Sequence, residues 1–411
     1  MAFFDRIMLA AGYMPLPADD PRAWADSKAN PVAQSGVVVT QASALQLGVI
    51  QAVQEVLAGS ISTLPFMIFE RMADGSKRAA TELPIYKILH TRPNSRQTAQ
   101  EFRDEQQRHL CVWRNCYARI ESEGGLPISG LDPIHPERVA KIERMPDGRI
   151  YYTINPVGTG AIETLRDDEI WHIRKAPLTL DGLRGMPVWE TGREEIGRAL
   201  AVEYYGARFF RNSGKAGGVL KHPGRFNTKA DRDDFWEAWR MRSTGEMQHS
   251  DRLLTHGVEY VPANLSNDEA QFIETLRQCE VKIARLWQMP PHRVGILDRA
   301  TNNNIEAQGI DYVVHTLAPW VAAWEQGASR DLLIGDQQDR YFAEFNVAGL
   351  LRGDIMSRYR AYAQGRQWGW LSVNDIHKLE NMAGIGESGD RYLEPINMRQ
   401  AGESDDAGND A

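Results

Sequence analysis

The chain of 411 residues is poor in cysteine, with three in all, and it has no apolar run long enough to cross a bilayer. Cys111, Cys116 and Cys279 form no CxxC pair, and no histidine stands beside them at metal-ligand spacing. They fit neither a disulfide framework nor a metal site, so a reducing compartment and a packing role are expected. A transmembrane helix needs roughly 18 or more apolar residues in a row, and none is expected here. The opening Met1-Ala-Phe-Phe-Asp-Arg lacks a basic stretch followed by a clean apolar core, which argues against a signal peptide. A basic excess is missing too: 47 Lys and Arg stand against 55 Asp and Glu, for a formal net charge of −8. A tight electrostatic grip on nucleic acid needs clustered Lys and Arg. The balance argues against that class, though not against a protein past which DNA slides without sticking.

Signatures of nucleotide and hydrolase chemistry are also missing. There is no Walker A sequence, no GxGxxG after a strand, no GxSxG elbow and no HExxH. The most catalytic-looking cluster is Asp167, Asp168 and Glu169 with His172. Three carboxylates and a histidine suit a divalent metal and phosphodiester cleavage. A metal-dependent DNA-processing enzyme using Asp168, Glu169 and His172 is therefore the alternative function. Neighbouring strand residues point to opposite faces, however, so Asp168 and Glu169 cannot both aim at one ion. A solvated turn leading into a strand, Ile170 to Ile173, is the expected structure.

What is present is an ordinary folded composition, 42% hydrophobic and 25% charged, with length for two or three domains. Long amphipathic helices dominate. Ser266-x-x-Glu269 is a capping box that opens one over roughly 266–288, with Phe272, Leu276, Cys279, Ile283 and Leu286 along one face. Met289-Pro290-Pro291 stops it. A Pro-, Gly- and Asn-rich loop follows, and Asn303 or Asn304 caps a second helix over roughly 304–330. Its stripe is Ile310, Val313, Val314, Leu317, Val321 and Trp324, and Pro319 inside it is expected to bend the axis. A third long helix, 188–211, shows Ile196, Leu200, Tyr204, Ala207 and Phe210 on one side. The insert 215–265 reads as strand (Gly218 to Lys221), helix (Thr228 to Arg242), strand (Arg252 to Thr255) and strand (Val258 to Val261). Phe235, Trp236 and Trp239 give its helix an aromatic side.

The N-terminal half mixes elements. Residues 1–40 read as a mobile arm. A helix is expected from Ala42 to Ile61, and a buried strand from Leu64 to Phe69. Thr98-x-x-Glu101 opens a helix to about Leu110, and strands follow over 112–121, 126–134, 150–155 and 170–173. Late in the chain come an alternating strand at Tyr341–Phe345, a helix from Asp354 to about Trp368, and another opened near Ser372-x-x-Asp375. The Gly-, Ser- and Asp-rich tail from Ala401 is expected to be disordered. The class is α+β, with no internal repeat.

The order of short motifs carries a resemblance. They run through Leu64-Pro65, Arg92-Pro93-Asn94 with Glu101-Phe102, Arg114-Asn115-Cys116-Tyr117, Leu131-x-Pro133-x-His135-Pro136 and Asp168-Glu169-Ile170-x-His172-Ile173-Arg174. Then come Phe209-Phe210-x-Asn212-x-Gly214, Val219-Leu220, the segment from Arg285 to Pro291, Asn302-Asn303-Asn304-Ile305-Glu306, Leu350-Leu351-Arg352-Gly353-Asp354, Tyr359-x-x-Tyr362 and Gly369-x-x-Ser372-x-Asn374-Asp375-Ile376. Over roughly 40–398 the chain resembles the portal proteins of tailed bacteriophages, of the long-tailed phage and prophage type. Two positions depart from the family pattern. Arg114 stands where a Gly usually precedes the Asn, and Gln288-Met289-Pro290-Pro291 replaces a Gly-Val-Pro-Pro turn. The compact length and short acidic tail also suit a gene transfer agent, a domesticated phage-like particle.

The resemblance implies a non-enzymatic α+β subunit of a ring, usually twelve copies, at one capsid vertex, through which double-stranded DNA enters and leaves. It implies a wing at 41–187, a first stem helix at 188–214, a clip at 215–265 and a second stem helix at 266–288. Residues 289–303 resemble a tunnel loop narrowing the channel, built from Pro290, Pro291, His292, Arg293, Val294, Gly295, Ile296, Leu297, Asp298, Arg299, Asn302 and Asn303. Residues 304–352 resemble a kinked helix returning to the wing, with Glu306 and Asp311 facing the channel, where they would repel DNA. Residues 353–398 resemble a crown inside the head, and 399–411 a disordered acidic tail. Implied partners are the terminase large subunit and the head–tail adaptor, which would meet the clip at Phe235, Trp236 and Trp239, and the major capsid protein. No cofactor, metal or membrane is implied. The implied location is the virion vertex, or a phage-like particle, after assembly in the host bacterial cytoplasm.

Overall fold

The computed structural model describes residues 32–124, 126–211, 218–221, 228–241, 259–262, 268–296, 309–347, 355–380 and 382–393. Thr40 caps α1 (Gln41–Ala44), and a turn at 45–47 separates it from α2 (Gly48–Ser62), where one helix was expected. Strands β1 (Phe66–Arg71) and β2 (Lys77–Ala79) lead to α3 (Pro84–His90), which has proline at its start, where no N–H is needed. Thr98 and Glu101 close a reciprocal capping box on α4 (Ala99–Trp113). The helix runs past the expected end at Leu110, so Val112 and Trp113 are helical and the strand starts later. Arg103 on α4 donates to the Ser62 carbonyl at 2.9 Å and the Leu89 carbonyl at 3.0 Å, tying α4 to the ends of α2 and α3. Burial lowers its pKa to about 10.

Six strands follow: β3 (Asn115–Glu121), β4 (Gly130–Ile134), β5 (Val139–Arg144), β6 (Ile150–Ile154), β7 (Glu163–Arg166) and β8 (Ile170–Arg174). They form two antiparallel sheets, ordered β4-β3-β8 and β5-β6-β7. Next, α5 (Val188–Thr191) and α6 (Arg193–Arg211) occupy the third long helical segment, interrupted at Gly192. A side chain at Gly192 would meet Leu286 at 2.5 Å, so the interruption makes room for the helix that packs there. The insert contributes β9 (Gly218–Lys221), α7 (Lys229–Met241) and β10 (Glu259–Pro262), with β9 and β10 antiparallel. The strand expected at Arg252–Thr255 lies outside the described residues. Helix α8 (Asp268–Arg285) packs on α6.

Later elements are a π-helical stretch (Tyr312–Leu317), α9 (Ala318–Asp331), α10 (Gln337–Arg340) and β11 (Tyr341–Phe345). Pro319 lies inside a continuous helical run, 309–331, as expected, and the missing N–H is accommodated where the ladder just upstream widens to π geometry. Strand β11 joins β1 and β2 in a third sheet, ordered β11-β1-β2. Its alternation is as expected: Tyr341, Ala343 and Phe345 are buried. On its other edge, the Ala343 N–H donates to Ser329 Oγ at 3.1 Å and the Phe345 N–H to Glu325 Oε1 at 2.8 Å, both acceptors coming from α9.

Trp324 of α9 is the centre of this core and is fully buried. Its ring meets Phe66 and Phe345 edge-on at 6.2 Å and Trp171 at 5.5 Å, while its Nε1 donates to Gln107 Oε1 of α4 at 2.8 Å. Phe66 and Phe345, paired in register across β1 and β11, stack at 4.2 Å. Burying each such ring contributes about 1.5–3 kcal/mol. Residues 32–40, expected to belong to a mobile arm, are held on α6: Ala33 and Val39 are buried, and Ser35 Oγ donates to the Gly197 carbonyl at 2.9 Å.

The chain divides into two compact units, Met1–Thr301 with Val314–Phe345, and Asn302–Val313 with Asn346–Ala411. All of the sheets belong to the first. In the second, α11 (Ile355–Gln367) and α12 (Val373–Leu379) are joined through Gly369, at φ +75°. Ser372 and Asp375 cap α12 reciprocally, Tyr362 donates to Glu380 at 2.9 Å, and Tyr392 donates to Asp375 at 3.0 Å.

Candidate channel elements

Helices α6 and α8, the expected stem, meet along part of the stripes read from the sequence. Ile196, Ala199 and Leu200 of α6 are buried, as are Cys279, Ile283 and Ala284 of α8. Further along α6 the stripe reaches solvent: Tyr204 is 50% exposed, and Ala207 is exposed as well. The side chains of Phe210 and Phe272 lie outside the described set. Trp287, which the stripe omitted, is buried and donates its Nε1 to the Cys111 carbonyl at 2.9 Å.

At the end of α8 the Gln288 N–H donates to the Arg285 carbonyl and the Met289 N–H to the Ala284 carbonyl, the paired bonds of a Schellman stop. That stop requires a left-handed residue, and Gln288 supplies it at φ +55°. The expected tunnel loop begins here. Pro291–Val294 winds as a single 3-10 turn, ended by Gly295 at φ +82°. Pro290, Pro291, His292 and Val294 are half-buried, Arg293 and Gly295 are exposed, and Ile296 is buried. Val294 and Ile296 border an open cleft of about 550 Å³, shared with Val49 and Ala52 of α2 and Leu276 of α8. This first part of the loop therefore lies against α2 and α8. Leu297, Asp298, Arg299, Asn302, Asn303 and Glu306 lie outside the described residues. Asp311 is exposed. On the insert helix α7, Trp236 is exposed, Phe235 half-buried, and the side chain of Trp239 outside the described set.

Among the described residues Arg114 is the other non-glycine residue at positive φ, +59°, directly after α4. An L-residue in that conformation costs roughly 1–2 kcal/mol. Both left-handed residues stand at the two positions where the family pattern has glycine. Arg114 Nη2 donates to the Leu286 carbonyl at 2.8 Å, at the end of α8. Its guanidinium carbon lies 5.9 Å from the Trp287 ring centre and 5.4 Å from that of Trp320. Lys175 Nζ lies 4.9 Å from the Trp320 ring centre and donates to the Pro319 carbonyl at 2.7 Å. Burial, aided by the nearby Arg114 charge, lowers the Lys175 pKa to about 8. Among the described residues no carboxylate forms an ion pair with either cation. Sequence reasoning missed this cluster; the only signal for it was the pair of replaced glycines.

The cluster weighed as a metal centre does not assemble. Asp168 pairs with Arg166 at 3.2 Å, and Glu169 accepts from the Arg166 N–H at 2.8 Å, so both belong to the turn before β8. His172 is buried in β8 behind them. Asn115 Nδ2 donates to the carbonyls of Trp113 and Gly185, and Asn115 Oδ1 accepts from the Gly185 N–H. Its oxygen therefore faces His172 Nε2 at 3.1 Å, which must carry the proton. Nδ1 is left to accept from Tyr152 Oη at 3.2 Å. Burial, with Arg174 and Arg330 nearby, depresses the His172 pKa well below its ordinary value. The imidazole is a neutral, fully bonded core group. Among the described residues no group of three or more His, Cys, Asp or Glu could hold a metal ion. The three cysteines are buried free thiols, and burial pushes Cys111 up to about 12.

Comparison with known proteins places this architecture. The probable portal protein of Streptomyces phage phiC31 is 29% identical over 90% of this chain and 82% of its own length. An HK97-family phage portal protein from Corynebacterium diphtheriae superposes with a TM-score of 0.57 at 16% identity, over 77% of this chain and 99% of its own. A chain from the neck of a native gene transfer agent particle, computed with C12 symmetry, gives 0.53 at 16% identity over 93% of this chain and 99% of its own. The two structural likenesses concern the fold. The model of the phage portal protein family matches residues 49–381, from α2 into the second unit. The chain belongs to the phage portal protein family, whose place is the phage capsid vertex.

Proposed function

We propose that twelve copies of this chain close into a ring whose bore passes double-stranded DNA during packaging and ejection. The observation that carries this reading is the unbroken family match over 49–381, which spans both stem helices and the insert between them. The fold likeness to a chain in a C12 neck supports the copy number. A closed ring needs a heterologous contact that returns on itself. The exposed outer turns of α6, with Tyr204 and Tyr205 half-exposed, leave apolar surface for such a contact.

In this ring the insert with Phe235, Trp236 and Trp239 is the clip, docking the terminase large subunit and later the head–tail adaptor. The wing meets the major capsid protein, and the second unit is the crown. Residues 289–303 form the tunnel loop, with Arg293 and Arg299 making brief phosphate contacts. Asp311 and Glu306 keep DNA sliding rather than bound. The family is structural rather than enzymatic, and ATP hydrolysis belongs to the terminase. Assembly takes place in the host bacterial cytoplasm, and the ring ends in a virion or a phage-like particle.

Negative-stain electron microscopy with mass photometry tests the ring. Twelvefold rings with a hole wider than a DNA duplex, about 20 Å, are expected; compact monomers or dimers under particle-forming conditions would reject the reading. Removing charge at Arg293 and Arg299 is expected to change packaging while rings still form.

A further inference from the structure

We infer that Arg114 and Lys175 are positioning residues, two wing cations that clamp the points where the tunnel-loop segment leaves and re-enters the wing unit. The geometry carries the inference. The departing strand of chain is held at Leu286, whose carbonyl accepts from Arg114, and at Gln288, whose carbonyl accepts from Thr316 Oγ1 at 2.7 Å. Thr316 belongs to the returning strand, so the two ends are tied directly to each other. Three residues on, the returning strand is held at Pro319 by Lys175. Trp320 then serves both cations, with Arg114 and Lys175 each within 5.4 Å of its ring centre. Cations over aromatic faces gain most where water is excluded, and Trp287 and Trp320 are both only 2% exposed.

The wing side of the clamp is itself immobile. The Arg114 carbonyl accepts from the Lys175 N–H at 2.8 Å, so the two cations share one backbone contact. A side chain at Gly185 would meet the Arg114 carbonyl at 2.3 Å, and the Asn115 amide bonds both the N–H and the carbonyl of Gly185. A strained backbone persists only where its surroundings over-determine it. Here the left-handed turn at Arg114 aims the guanidinium at α8, and the one at Gln288 presents the carbonyl that Thr316 grips. A glycine at position 114 would turn the chain equally well and clamp nothing.

That the clamped segment is the tunnel loop rests on the function proposed above, so the test separates the two. Hydrogen–deuterium exchange is measured on assembled rings of Arg114→Met, Lys175→Met and Arg114→Lys, alongside DNA packaging driven by the terminase. Arg114→Met is expected to speed exchange about tenfold across 286–296, with β1 and β11 unchanged. Arg114→Lys, which keeps a cation over Trp320, is expected to restore most of the protection. Lys175→Met, at a partly exposed position, is expected to speed exchange at 314–320. Unchanged exchange, a uniform rise across the wing, or no rescue by lysine overturns the clamp. Faster exchange with packaging at the wild-type rate leaves the clamp standing and removes the tunnel-loop assignment instead.

Discussion

The first unit, proposed above to be mainly the wing, and the second unit are held together by different means. The first unit closes around fully buried side chains such as Trp324, Phe66, Phe345 and Ile134. Along 359–393 of the second unit, the buried positions among the described residues are Gly365, Ser372 and Gly389. Large apolar side chains there face solvent, Trp370 at 72% and Tyr392 at 57%. What organises that unit is local hydrogen bonding: the Ser372–Asp375 cap, the Tyr392 contact to Asp375, and the Asn374 amide bonding Gly386, Ile385 and Asp390. Hydrogen bonds of this kind contribute about 1 kcal/mol each, less than one buried aromatic ring. The first unit thus closes a large apolar core, whereas the described part of the second unit closes none and leaves apolar surface of the kind that protein contacts cover.

The largest expected effect breaks the wing alone. Trp324→Ala removes three ring contacts and leaves Gln107 without its donor; it is expected to cost about 3–5 kcal/mol in chemical denaturation. Exchange at α12 in the native state should be unaffected, and equal loosening there would erase the contrast.

Acid sharpens the comparison next, because the wing buries neutral histidines. Burial, with His135 adjacent, lowers the His109 pKa to about 3, and His172 is also depressed. The folded state therefore resists a proton that the unfolded chain accepts near pH 6.5. Stability is full above that pH and falls as pH drops toward 3, by up to about 1.4 kcal/mol per pH unit for each group. Denaturation at pH 7.5 and pH 5 measures the slope, and His109→Gln is expected to reduce it by one proton.

The smallest effect belongs to the second unit. Ser372→Ala removes one cap and is expected to cost about 1 kcal/mol. It should appear as faster exchange over 373–379, with no shift in the unfolding midpoint of the wing.

Local chemistry was the legible part of this chain. Both Thr98–Glu101 and Ser372–Asp375 were readable as caps, the Tyr341–Phe345 alternation as a strand, and Asp167–Glu169 as a turn, because each signal is complete within a few residues. The short polar strands β5 and β7 were not legible; they exist because β6 pairs with both. The end of α4 was misplaced for a similar reason, since nothing about an arginine announces a left-handed turn. The bond between Trp324 and Gln107 joins positions far apart in the chain and depends on the assembled core. At the candidate site, the two replaced glycines marked the right positions, but that Arg114 and Lys175 converge on Trp320 is visible only in the fold.

The occupied edge of β11 has a consequence for a chain that must wait before it is built into anything. An open strand edge is a template on which a second sheet can grow, and growth of that kind ends in filaments. Ser329 and Glu325 act as stoppers on two of its donors. At this one edge, growth by backbone pairing is thereby blocked, and what β11 offers a neighbouring subunit is side-chain surface rather than backbone.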